Sequence, residues 1–266
     1  MNTHQQVQDD ELTLARQLVY HFLSLAVSDP KSKRWPQLND AGLADACIYA
    51  AEFLKQQPQC TPPTAAPGEL SPDSLDIAAI VRVLHDPRAD VNWHFEKLFG
   101  LMVSKKCPPY ETEYCPQTFS VYRSQALADV AGYYRAFGLE PSRDMPERAD
   151  HVALELEFMS WLIGKERNAQ TAEHAQTCRD AQVRFAREHL VWWVPAFGRA
   201  LLRQAERTAG VAGSGFYAAT ARCLLAFVGI ERAVLGLEPP TDLVGPRPSE
   251  EQEEMSCQSC TAAELT

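Results

Sequence analysis

Sustained polar–apolar alternation is missing from this sequence, and so is any Asn-Gly or Asp-Gly pair that would seed a tight hairpin. Both absences argue against β-structure. No internal repeat period is visible, which excludes a solenoid or a propeller. Long apolar runs are missing too. The strongest, "LLAFVGI" at residues 224–230, falls far short of the ~20 residues that span a bilayer. The first thirty residues carry no basic start, apolar stretch or small-residue cleavage site, so the chain is expected to stay in the cytoplasm. No basic patch or run offers itself to phosphates, and nucleic acid is not an expected partner. G-x-G-x-x-G, Walker A, H-E-x-x-H and G-x-S-x-G motifs are all absent, which argues against ordinary enzymology.

What is present is helix after helix. The 266 residues have 45 % hydrophobic and 23 % charged side chains, an ordinary globular balance with enough length for a real core. Apolar positions recur at helical spacing. The stripes run through Leu12, Ala15, Val19 and Phe22; Leu43, Cys47, Ala50 and Leu54; Ile77, Ile80 and Leu84; and Val91, Phe95, Leu98, Phe99 and Met102. Later ones run through Leu127, Val130 and Tyr134; Leu154, Phe158, Trp161 and Leu162; and Tyr217, Ala221, Leu224 and Val228. Ser71-Pro72 reads as a cap and first-turn proline for the third stripe, and Gly138 as a stop. Pro195, in "WWVPAF", must start a new helix or kink an old one. The expectation is one all-α domain over residues 1–238, with about eight to ten helices. Residues 58–72 are dense in proline and should form an extended loop. From residue 239 the chain turns proline-rich and acidic, and 239–266 should be a flexible tail. From Glu238 onward it holds seven acids and one arginine, over half of the net charge of -10.

Three central pieces carry chemistry. In "FEKLFGL", Phe95, Leu98 and Phe99 share one helix face, a spacing that suits core packing. In "CPPYETEYC", residues 107–115, Pro108 and Pro109 exclude a helix and stiffen the loop. Tyr110 and Tyr114 offer flat faces with a hydroxyl tip, while Glu111 and Glu113 offer acceptors for a guanidinium. That chemistry suits a groove for a peptide with basic residues, and equally a structural connector with solvated acids. In "MPERADHVALELEF", Pro146 leads a helix with Glu147, Asp150 and His151 at its start, either a capping cluster or a carboxylate–imidazole pair. Glu155 and Glu157, two apart, cannot share a face, so one of them should be solvated.

Cysteine usage leaves one further reading. Cys47 and Cys223 look like buried thiols. Cys257 and Cys260 form a C-x-x-C, and with Cys107 and Cys115 they could close a zinc site or a redox sensor if the tail folded back.

Taken in order, these pieces resemble the redox-enzyme maturation chaperones, the TorD/DmsD/NarJ-like proteins. The resemblance rests on an aromatic-x-x-Leu-Phe helix (Phe95 to Phe99), the double-proline aromatic loop "CPPYETEY", and a Glu-Pro-x-Asp-His-type motif met by Glu147, Asp150 and His151. A fourth piece, "HLVWWVPAF", resembles the family's later H-x-x-x-W region. The likeness spans about residues 10–237. One departure is Arg148, which stands where the family has proline. The resemblance implies a cytoplasmic, all-α chaperone of the TorD-like type without catalytic turnover. Its partner would be the immature catalytic subunit of a molybdopterin-containing oxidoreductase, gripped at a twin-arginine leader or N-terminal segment until the cofactor is inserted. Phe95, Phe99, Tyr110 and Tyr114 would then frame the leader's apolar part, with Leu98 on the same helix face and Pro108 and Pro109 holding the loop. Glu111, Glu113, Glu147 and Asp150 would engage its arginines, with His151 oriented by Asp150. No catalytic residue, resident cofactor or membrane span is expected. Transient contact with the molybdopterin cofactor stays open, as does the choice between a monomer and a helix-exchanged dimer. An acid–base enzyme built on Asp150, His151 and Glu111 is the competing class, and it lacks a nucleophile or cofactor motif.

Overall fold

Short acids open many of the helices. Asp40, Asp76 and Asp90 each accept a backbone N–H two or three residues inside the next helix, and Thr171 does the same with its hydroxyl. The structure, a computed structural model, describes residues 3–100, 106–116, 120–142, 146–208 and 214–246. Among these residues there are nine α-helices and no strand, in a single all-α domain. They are α1 (Thr3–Ala26), α2 (Ala41–Gln56), α3 (Ile77–Leu84), α4 (Val91–Phe99), α5 (Ser120–Ala136), α6 (Val152–Arg167), α7 (Ala172–Phe185), α8 (Val194–Arg207) and α9 (Ser214–Val234).

Helix α1 packs along α6 and α2, α6 along α7, and α8 along α9, with α3 laid on α9. The apolar stripes meet in one core, in which Phe22, Phe185, Trp193, Phe197, Phe216 and Phe227 are sealed from solvent. Two buried ion pairs fasten α9. Arg16 donates to both carboxylate oxygens of Glu231 at 2.7 and 2.8 Å, and Arg232 grips Glu69 at 2.8 and 2.9 Å. Glu69 belongs to the proline-rich loop, which is tied down further by Leu70 N–H to the Leu225 carbonyl at 3.1 Å. Removing one partner of such a pair strands a buried charge, so these bonds fix the loop's path.

The punctuation residues differ in detail from expectation. Ser71-Pro72 opens a single 3-10 turn, Pro72–Ser74, and Asp76 caps α3 itself. Gly138, at φ +73, ends α5, with the Leu139 N–H returning to the Tyr134 carbonyl at 2.9 Å. Pro195 sits in the first turn of α8 and starts a new helix. The turn before it, Ala186–Leu190, is a π-helix closed by Val191 N–H to the Ala186 carbonyl at 3.0 Å. Of the acidic tail, Val244 packs on the core and Leu243 lies against Gly68. Residues 247–266 lie outside the described residues, as does Met102. No helix among the described residues is long and apolar enough to cross a membrane.

Candidate functional site

The two prolines of "CPPYETEY" keep the loop out of a helix, and it pairs instead with the start of α6. Tyr110 and His151 form an isolated antiparallel bridge. Glu111 N–H donates to the Asp150 carbonyl at 3.0 Å, and Val152 N–H to the Pro109 carbonyl at 2.9 Å. Tyr134 of α5 clamps the other side, its hydroxyl donating to the Ala149 carbonyl at 2.9 Å. Loop and helix start thus form one rigid unit, although they lie about forty residues apart in sequence.

Asp150 sits at the centre of that unit with 0 % exposure. Its carboxylate accepts from Thr112 N–H at 3.2 Å and Thr112 Oγ1 at 2.8 Å. It also accepts a two-pronged grip from Arg148, Nε at 3.0 Å and Nη2 at 2.8 Å. The same guanidinium lies 4.3 Å from the Tyr110 ring centroid and 3.7 Å from the Glu113 carboxylate. A planar cation held between a carboxylate fork and an aromatic face is the geometry arginine favours. Tyr110, half-buried, donates its hydroxyl to Glu147 at 3.1 Å. His151 stacks edge-on against Tyr110 at 5.2 Å, and its Nε2 lies 3.9 Å from Glu147. His151 Nδ1 accepts the Ala153 N–H at 3.1 Å, so the ring caps α6. Burial pulls its pKa below the ordinary imidazole value, and the Glu147 and Asp150 carboxylates oppose that.

A second buried cluster lies behind the first. Glu111 (2 % exposed) faces His189 Nδ1 at 3.1 and 3.2 Å. Glu155, fully buried, accepts from the Trp193 indole at 3.1 Å, and that indole also donates to the His189 carbonyl at 2.5 Å. Burial raises the pKa of Glu155 well above the ordinary carboxylate range, and the charges of Glu111 and Asp150 add to it. Burial raises Glu111 as well, against the pull of His189. Glu155 and Glu157 diverge: Glu157 stays half-exposed and is ion-paired with Arg34.

Beside this unit opens a groove of about 810 Å³ between the segment after α1, the segment after α5 and one face of α6. Leu139, Pro141, Leu154, Phe158 and Trp161 give it an apolar floor. Asp29, Glu140, Glu147 and Glu157 ring it with four carboxylates against Lys33 and Arg34, and His151 lines its inner end.

The residues singled out from sequence fall into three places. Tyr110, Glu113, Glu147, Asp150 and His151 come together around Arg148. Glu111 belongs to the buried cluster behind, and Pro108 and Pro109 are buried as the loop's frame. Leu98, Phe99 and Tyr114 lie inside the core, with exposures of 4, 6 and 1 %. Phe95 is half-buried and packs on Phe99, whose ring stacks on Phe197; Tyr114 packs on Trp193. Cys107 is buried and Cys115 half-buried, while Cys257 and Cys260 lie outside the described residues. Burial pushes the Cys47 and Cys223 thiols up to about 12. Sequence reasoning named neither the groove floor nor the roles of Arg148, Glu155 and His189. The substitution of arginine for the family's proline was the visible signal for Arg148, and the H-x-x-x-W spacing was the signal for His189 and Trp193.

Residues 70–199, which contain the loop, the start of α6 and the His189–Trp193 turn, match the family model described as nitrate reductase delta subunit. The chaperone protein TorD of Vibrio atlanticus (strain LGP32) is 26 % identical over 167 residues, covering 62 % of this chain and 74 % of the relative. TorD of Vibrio cholerae serotype O1 (strain ATCC 39315) is 31 % identical over 105 residues, covering 40 and 43 %. The selenate reductase assembly chaperone protein of Thauera selenatis is 35 % identical over 80 residues, covering 30 and 42 %. This chain therefore spans about three quarters of the first relative and less than half of the other two.

Proposed function

We propose, for a chain that belongs to the TorD/NarJ-like family of maturation chaperones, that it serves the assembly of a molybdenum-cofactor oxidoreductase and catalyses no reaction. It binds the immature catalytic subunit in the cytoplasm through an arginine-bearing segment, in the manner of a twin-arginine leader, and holds it until the cofactor is inserted. The groove beside His151 takes the apolar part of that segment on Leu154, Phe158 and Trp161, and the carboxylates around it take the arginines.

One observation carries this reading. The unit made by Asp150, Glu113 and Tyr110 already holds a guanidinium, that of Arg148. The site has the charge, the fork geometry and the aromatic face that an incoming arginine needs. Arg148 acts as an internal occupant that a client's arginine displaces, which lowers the apparent affinity by the fraction of time it is seated. The mixed character of the groove, an apolar floor under an acidic rim, suits peptide recognition better than turnover.

The test uses a peptide of about twenty residues bearing two adjacent arginines before an apolar stretch, and its twin with both arginines changed to glutamine. Calorimetry on the full chain should show the glutamine peptide binding about tenfold more weakly or worse, as expected for lost charge-assisted bonds. Arg148→Gln should bind the arginine peptide more tightly than the parent does. Equal affinities for the two peptides would sink the reading.

A further inference from the structure

The π-turn Ala186–Leu190 turns His189 inward until only 3 % of it is exposed. The rings of Tyr133 and Phe185 flank it, at 5.3 and 5.0 Å. Its Nδ1 meets the Glu111 carboxylate at 3.1 and 3.2 Å. With that nitrogen donating, Nε2 carries the lone pair. Nε2 is buried and has no hydrogen-bond partner among the described residues. It lies 3.3 Å from Asp129 Oδ2 on α5. The Glu188 carboxylate is the third member of the group, and one atom from each of the three lies within 4.8 Å of the others. Glu188 is itself held in place, accepting from the Tyr133 hydroxyl at 2.5 Å and from Arg187 at 3.1 Å.

We infer that Asp129, Glu188 and His189 form a binding site for a first-row divalent cation, with zinc the best match to one imidazole nitrogen and two carboxylate oxygens. A carboxylate that accepts from one ring nitrogen and leaves the other for the metal is the usual support of a ligating imidazole. Glu111 stands in that position. Asp129 has 64 % side-chain exposure and can rotate to close the ligand distances. The cation would tie α5 to the π-turn and, through His189, steady Glu111 beneath the loop. This site owes nothing to the cysteines and does not depend on the client proposed above.

The test is zinc uptake by the chelator-treated full chain carrying Cys257→Ser and Cys260→Ser, which removes the C-x-x-C thiols. Calorimetry should find one equivalent bound, weakened about tenfold or more by Asp129→Asn and by Glu188→Gln. Both residues lie at the surface, so the fold should persist, which circular dichroism would verify. Cobalt in place of zinc should give ligand-field bands without a sulfur-to-metal charge-transfer band. Uptake that neither substitution weakens, or a spectrum of thiolate type, would overturn the site. So would no uptake at all.

Discussion

At the scale of single residues, the buried carboxylates divide by what surrounds them. Asp150 has bonds from Thr112 and the Arg148 guanidinium, so its charge is met on every side. Glu155 is equally buried but has one indole N–H, an oxygen without a partner, and two acidic neighbours. A carboxyl whose pKa is higher folded than unfolded keeps its proton longer in the folded state. Its contribution to stability is complete below the unfolded value of about 4.3 and is lost as pH rises through the folded value. Glutamine at 155 keeps an oxygen for the Trp193 indole and offers an N–H to Glu111. Glu155→Gln should therefore raise Tm by about 2–4 °C at pH 8, with the difference shrinking toward zero as pH falls to about 4. Thermal unfolding across that range measures it. A destabilised variant at pH 8 would mean that the Glu155 charge is met by a group still to be identified.

At the scale of elements, close approach and local punctuation decide the site. Helices α8 and α9 meet at Gly198, where a Cβ would lie 2.7 and 2.9 Å from Leu225 Cδ2 and Cγ. Leu225 is sealed in the core and has no room to yield. Gly198→Ala should cost about 1–3 kcal/mol by overpacking, read from the urea midpoint at unchanged m. Helix stripes were legible in sequence because α-helical spacing repeats over many residues. The single-residue devices were less so. Ser71-Pro72 has every mark of a helix start, yet Asp76 offers a second cap, and the longer apolar run begins after it. The π-turn at residues 186–190 adds one residue to a helix and leaves no compositional trace, although His189 is buried within it.

At the scale of the whole molecule, the candidate site is an assembly of segments far apart in the chain. Loop 107–115 and the start of α6 were readable as chemistry, because proline, tyrosine and acid clusters advertise themselves. The groove floor was not, because Leu154 and Trp161 carry the same spacing as Phe158 and the other residues that face the core. The segments that border that face, 28–34 and 139–142, come from elsewhere in the chain. Phe99, whose spacing suited core packing, lies in the core, and so does Tyr114, which the family resemblance implied as a peptide contact; large aromatic rings bury the most apolar area there. The central claim is that one face, made by the groove along α6 and the Arg148 site beside it, receives an arginine-bearing segment of an unfinished enzyme. Hydrogen–deuterium exchange of the full chain, with and without the arginine peptide, tests it most directly. The account predicts slowed exchange concentrated in residues 109–113 and 147–161, with α8 and α9 unchanged. Protection confined to α8 and α9, or none at a saturating peptide concentration, would contradict it.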